Sequence, residues 1–137
     1  MLMDAAEYRN SLRRYRPRVF VDGAAVESVA DEPRLLPGIN AVGVTYDFAH
    51  RPEYVARMMA VQGTTGRTVN RMLHINETSD HLLRKLEAVR LVCQESGCAQ
   101  RYLTHDALNG IFQATRRTDD AHGTDYHARF LAYLHDI

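Results

Sequence analysis

Thr78-Ser-Asp-His-Leu-Leu-Arg-Lys-Leu-Glu-Ala-Val-Arg-Leu-Val-Cys-Gln-Glu-Ser-Gly97 is the stretch that decides the fold class. Thr78 or Ser79 supplies a hydroxyl to cap a helix N-terminus. Leu82, Leu83, Leu86, Val89, Leu91 and Val92 then recur at helical spacing and form a broad apolar stripe. Gly97 ends the pattern as a C-cap. Working outward, Thr104 to about Arg116 repeats the helical period, with Leu108, Ile111 and Phe112 inward. Thr118 to Gly123 is a polar connection, and Tyr126 to Ile137 is a last amphipathic helix carrying Phe130, Leu131, Tyr133 and Leu134. Toward the N-terminus, Asp4 and Glu7 have the spacing of a capping box before a helix ending at Tyr15, which Pro17 stops. Ile39 to about Ala49 and Pro52 to Val61 read as two further helices, and Gln62 to Asn76 as an irregular loop. The one convincing β signal is Arg18 to Val29, two short runs of β-formers around Asp22-Gly23, a turn dipeptide for a hairpin. The expectation is a mainly α domain, residues 1–137, with one short β-hairpin.

Composition limits the function. A chain of 137 residues with 45% hydrophobic and 25% charged side chains suits one globular domain. Seventeen basic residues balance seventeen acidic ones, whereas a nucleic-acid surface normally brings a basic excess. No apolar run approaches the roughly eighteen residues of a membrane helix. Met1-Leu2-Met3-Asp4 has no basic or hydrophobic leader, so the expected compartment is the cytoplasm, with Cys93 and Cys98 reduced. Lys85 is the one lysine among seventeen basic residues, a bias assigned to genomic base composition. The C-terminal helix stops in mid-pattern, which reads as part of something longer.

Candidate chemistry is sparse at the level of single motifs. Gly63-Thr-Thr-Gly66-Arg67 has too few residues between its glycines, and no lysine after them, for a phosphate loop; it reads as a turn. Cys93 and Cys98 are five residues apart, so on an ideal helix their side chains diverge by roughly 140° and share no metal. The seven histidines form no short ligand pair and read as surface or capping residues. Met58, Met59 and Met72 read as core filler.

The ordered set of short words says more. Tyr8 with Ser11-Leu12-Arg13, Arg18-Val19 with Asp22-Gly23, Ile39-Asn40, Thr45-Tyr46, Pro52-x-Tyr54 and Thr68-Val-Asn-Arg71 come first. Asp80, Arg90-Leu91, Gln100-Arg101, Asp106-Ala107-x-Asn109 and Gly123-Thr-x-Tyr-His127 follow in order. From end to end the chain resembles the N-terminal helical domain of the 4-hydroxyphenylacetate 3-hydroxylase superfamily, and most nearly its 4-hydroxybutyryl-CoA dehydratase branch. The resemblance implies an acyl-CoA-dehydrogenase-like flavoprotein in which FAD is held largely by a β-rich middle domain and a C-terminal helical bundle. Those domains are absent from these 137 residues, so FAD is not expected on this chain alone. The implied role is to close one side of an acyl-CoA or small phenolic substrate pocket. The chemistry then needs a C-terminal flavin-binding domain or subunit, and a homo-oligomer is possible.

In the dehydratase branch the pattern Cys-x-Gln-Arg-Cys brings two ligands to a [4Fe–4S] cluster. Here Cys98 keeps the first and Tyr102 replaces the second; a phenol is a poor exchange for a soft thiolate, so a cluster is not expected. The hydroxylase branch, a flavin monooxygenase, places a substrate-facing arginine and tyrosine around Leu103 to Ala107, with Arg101 and Tyr102 close by. Arg90 matches a dehydratase arginine near the substrate pocket, against the alternative of a surface arginine paired with Glu87 or Glu95. The substrate-binding expectation therefore rests on Arg90, Arg101 and Tyr102. The rival expectation is a non-catalytic remnant or interaction subunit of the same fold.

Overall fold

The computed structural model describes residues 2–98 and 101–137. Met1, Ala99 and Gln100 lie outside the described residues, and with them part of the Gln100-Arg101 word and of the Cys98–Tyr102 pattern. Helix α1 (Ala5–Arg14) starts on the expected capping box: Asp4 accepts from the Glu7 amide while Glu7 accepts from the Asp4 amide. Strands β1 (Val19–Val21) and β2 (Ala24–Val26) pair antiparallel through Asp22 and Gly23, both at positive φ, as the turn demands. Helix α2 (Leu36–Asp47) begins three residues before the expected start, with Pro37 in its first turn. It packs on α1, where the Tyr8 and Tyr46 rings stack at 4.8 Å and the Ala5 amide donates to Asp47 Oδ1 at 2.9 Å.

The expected Pro52–Val61 helix is corrected. Only α3 (Val55–Met58) is helical, and the chain then extends into β3 (Met59–Val61). Strand β3 pairs antiparallel with β4 (Thr68–Asn70), so part of the expected loop is a second hairpin, in register Met59↔Asn70, Ala60↔Val69 and Val61↔Thr68. Arg71 is the reason α3 stops where it does. Its buried guanidinium takes the Arg57 and Met59 carbonyls at 2.5 Å each, satisfying groups that a continuing helix would have bonded itself.

Helix α4 (Ser79–Ser96) has Thr78 as its N-cap, the Thr78 hydroxyl accepting from the His81 amide, and Gly97 at φ 72° as its left-handed C-cap. Helix α5 (Tyr102–His122) runs on through the expected polar connection to Gly123. Helix α6 (Tyr126–Asp136) folds back on it, fastened where Asp119 accepts from Thr124 Oγ1 and from the Tyr126 and His127 amides. The result is the expected mainly helical domain with two short hairpins rather than one.

Two apolar clusters hold the helices together. Phe48, Ala49, Met58, Met72, Ala88 and Val92 join α2, α3 and α4; Ile75, Leu108, Phe130 and Leu134 join α5 and α6. Each large side chain sealed there contributes about 1.5–3 kcal/mol. The segment from Asn70 to Ile75 threads between the clusters. Asn70 Nδ2 ties it to the Thr45 carbonyl at 2.7 Å, and Asn109 on α5 clamps it through the Asn76 amide and the His74 carbonyl.

Candidate functional site

The buried face of α4 is Lys85, Ala88 and Val92, whereas Leu82, Leu83 and Leu86 are 46%, 61% and 49% exposed. The stripe read from sequence is therefore only partly inward. Ile111, also expected inward, is exposed at 44%, and Tyr133 on the last helix at 53%. Packing against α2 and α3 selects a narrower face than the apolar periodicity suggests, and that face carries a lysine.

Lys85 is buried, its side chain 4% exposed. Its Nζ meets Asp106 Oδ1 at 2.8 Å and lies 4.2 Å from the centre of the Tyr102 ring, an ion pair and a cation–π contact on one ammonium. Burial works to raise the Asp106 pKa. Hydrogen bonds from Lys85 and Tyr102, the Lys85 charge and His105 outweigh it and hold the carboxyl below its usual range. His105, one turn of α5 from Tyr102, is 1% exposed. Burial, followed by the Lys85 charge, lowers its pKa, so the imidazole is neutral at pH 7. Its Nδ1 has no hydrogen-bond partner and stands 3.5 Å from Asp106 Oδ1. His74 is likewise buried and edge-on to His81, with its pKa lowered by burial and by His81. The expectation that all seven histidines are surface or capping groups fails for these two, because the Asn70–Ile75 segment and the inner face of α5 carry them into the interior.

Arg101 precedes α5 at φ 60°, a left-handed conformation that non-glycine residues seldom adopt. This turns its guanidinium back under α2, where Nη1 donates to Thr45 Oγ1 at 3.1 Å and the group lies 4.3 Å from the centre of the Tyr46 ring. Burial pulls the Arg101 pKa down, with Tyr46 and Tyr8 opposing. Among the described residues no carboxylate is ion-paired with it. Arg101 and Tyr102 thus reach two adjoining polar centres, the tyrosine stack and the Lys85–Asp106 pair. Arg90 does not join them. It is exposed on α4, about 140° around the helix from Lys85, with no ion pair to Glu87 or Glu95 among the described residues.

Cofactor fit follows from the same geometry. Cys98 is exposed, but the Tyr102 ring face lies against Lys85 and its phenol is no soft thiolate. Among the described residues no three His, Cys, Asp or Glu side chains converge on a metal position. The donor set does not fit an iron–sulfur cluster. The Gly63–Arg67 turn does not fit a phosphate either: the Glu77 carboxylate sits where a Cβ on Gly63 would be. Arg67 is turned away to the His135 carbonyl.

Two hollows mark the surface. The larger, about 660 Å³, lies between the end of α1 and the segment after β2, where Arg13 and Arg16 face Glu27, Asp31 and Glu32. Its charges are largely spent on one another, with Arg13 on Asp31 at 2.7 Å and Arg34 on Glu32 at 2.6 Å. The second, about 500 Å³, lies between the start of α4 and the middle of α5 and has Lys85, His105 and Asp106 in its wall. Its buried charged and unpartnered groups make it the better candidate for binding chemistry.

The chain belongs to the family of the 4-hydroxyphenylacetate 3-hydroxylase N-terminal domain. The model described as 4-hydroxyphenylacetate 3-hydroxylase N terminal matches residues 4–137. Over 135 residues the chain is 37% identical to the 4-hydroxybutyryl-CoA dehydratase/vinylacetyl-CoA-Δ-isomerase of Clostridium aminobutyricum, a match covering 98% of this chain and 28% of that protein. Among solved structures it resembles an oxygen-tolerant archaeal 4-hydroxybutyryl-CoA dehydratase from N. maritimus, with a TM-score of 0.90 and 38% identity over 98% of this chain and 27% of that one. The oxygenase component of 4-hydroxyphenylacetate 3-monooxygenase shares the fold, with a TM-score of 0.73 and 21% identity over 96% of this chain and 28% of its own length. The chain therefore spans little more than a quarter of these relatives.

Proposed function

We propose that this chain forms one wall of the substrate pocket in an FAD-dependent oxidoreductase of its family, with a flavin-binding domain or subunit supplying the redox chemistry. The observation that carries this reading is the match along 98% of the chain to proteins of which it covers 27–28%. A mutant of that oxygenase component, HpaB, complexed with FAD, shares the fold with a TM-score of 0.59 and 22% identity over 68% of this chain and is what suggests the flavin. In this reading the partner, not these residues, holds the flavin.

Their part is binding and orientation. Arg101 presents a desolvated guanidinium with no carboxylate ion-paired to it among the described residues, suited to a polar or anionic group on an acyl-CoA or phenolic substrate. Tyr102, fixed by Lys85 and Asp106, presents a rigid ring edge beside it. Arg90, exposed on α4, serves this reading only if the partner closes over that face. Leu82, Leu83 and Leu86 on α4, with Leu103 and Ile111 on α5, are among the exposed apolar residues that such a partner would cover. Tyr102 at the cluster-cysteine position disfavours cluster-dependent dehydration. It equally favours the second reading, a non-catalytic subunit retaining the fold.

The test is flavin-dependent turnover of a phenol or a hydroxyacyl-CoA by the chain combined with its flavin-binding partner. The pocket-wall reading expects Arg101→Ala to raise KM at least tenfold with the fold intact. Turnover indifferent to Arg101 contradicts the assignment, and partner binding without turnover identifies the non-catalytic subunit.

A further inference from the structure

The cleft between α4 and α5 contains an arrangement that stability alone does not explain. Sixteen of the seventeen basic side chains are arginine, and the single lysine is the one whose side chain is buried at this cleft. A buried ion pair is often no more stabilising than an apolar pair of the same volume, because both charges lose their water. Here it lies beside an imidazole that is 1% exposed and whose Nδ1 makes no short hydrogen bond, facing Asp106 Oδ1 at 3.5 Å. Buried polar groups are nearly always paired, so a loosely paired one in a cleft wall calls for an explanation, and a bound molecule is one.

The donor and acceptor inventory narrows what that molecule is. The Lys85 ammonium has three N–H groups: one goes to Asp106 Oδ1 and one faces the Tyr102 ring, which leaves the third. The Asp106 side chain is 43% exposed, so the carboxylate keeps acceptor capacity toward the cleft. Leu82, 46% exposed, supplies an apolar wall. An anion here is opposed by Asp106, and a cation by Lys85. A carbonyl accepts but gives Asp106 nothing. A hydroxyl does both, donating to the carboxylate while accepting from the ammonium or the imidazole.

We propose that the α4–α5 cleft is a binding site for an uncharged, hydroxyl-bearing small molecule, its O–H donating to Asp106 and its oxygen accepting from Lys85 or His105. The site does not depend on the flavoprotein reading, because every group that forms it belongs to this chain.

The test uses the 137-residue chain and two probes of one shape, cyclopentanol and cyclopentanone. NMR titration follows the His105 imidazole nitrogens and the Leu82 methyl groups. The site predicts saturable shifts at both positions with cyclopentanol, with a dissociation constant on the order of millimolar for so small a ligand. Cyclopentanone, lacking the donor, binds about tenfold more weakly, the value of one hydrogen bond to a charged group. Asp106→Asn, if folded by circular dichroism, reduces the preference for the alcohol to about twofold or less. Should that variant not fold, the two probes on the unaltered chain decide the matter alone. Equal binding of alcohol and ketone, shifts that never saturate, or no shift at His105 overturns the proposal and leaves the cleft with solvent only.

Discussion

Replacing Asp106 by alanine and Lys85 by methionine removes the same ion pair from its two ends, and the structure predicts unequal costs. The Lys85 side chain is 4% exposed and that of Asp106 is 43% exposed. Without Asp106, the ammonium is left inside with the Tyr102 ring as its neighbour. Stranding one member of a buried pair costs about 3–5 kcal/mol, and the half-open position of Asp106 lets water recover part of that, leaving roughly 2–3 kcal/mol. Without Lys85, the carboxylate is already within reach of solvent, and the methionine fills the vacated volume with apolar atoms. The lost cation–π contact, worth about 1 kcal/mol, is then largely offset by methionine burial. Lys85→Met therefore stays within about 1 kcal/mol of the parent. Urea unfolding followed by circular dichroism reads both values, and at this chain length the gap between the variants corresponds to roughly 4–8 °C in Tm. Equal losses, or a larger loss for Lys85→Met, refute the view that the ammonium is the costly buried partner.

Three further outcomes follow from the same structure. His74 and His105 have pKa values held below the ordinary 6.5 by burial, so the unfolded chain binds their protons first. Stability is complete above about pH 6.5 and declines as pH falls toward the folded values, by at most about 1.4 kcal/mol per pH unit for each histidine. The neighbouring groups are Lys85 and Asp106 around His105, and His81, Asn76 and Arg71 around His74; urea midpoints that are flat from pH 7.5 to 5.5 contradict this. Arg71→Ala frees the Arg57 and Met59 carbonyls and costs about 2–4 kcal/mol in urea unfolding, whereas an exposed arginine such as Arg90 costs under about 0.5 kcal/mol. Thr78→Ala removes the α4 cap and lowers stability by about 1 kcal/mol, with Thr78→Ser nearly neutral by the same assay.

Local chemistry made much of the fold legible. The Asp4–Glu7 box, the Asp22-Gly23 turn and the Thr78 and Gly97 caps each act within a few residues of themselves, and all four appear as read. The second hairpin escaped because its cause is distant in sequence: the Arg71 side chain, reaching back twelve and more residues, ends α3 and lets Met59 to Val61 extend. Tertiary packing also decided which side of α4 is inside, and three leucines lost to Lys85. The signal was present, since Lys85 lies three residues after Leu82 and four before Val89, within the stripe. Asp106 and His105 gave no such sign, because nothing local marks their partners. Arg101 and Tyr102 came from resemblance, and the structure gives each a geometry that the motif alone does not contain.

The central claim is that this domain shapes a substrate wall and depends on other parts for flavin. A titration of the purified 137-residue chain with FAD, followed by flavin fluorescence and by absorbance near 450 nm, tests it most directly. The account predicts no stoichiometric binding by the chain alone. One-to-one uptake of FAD at micromolar concentration by these residues by themselves would contradict it.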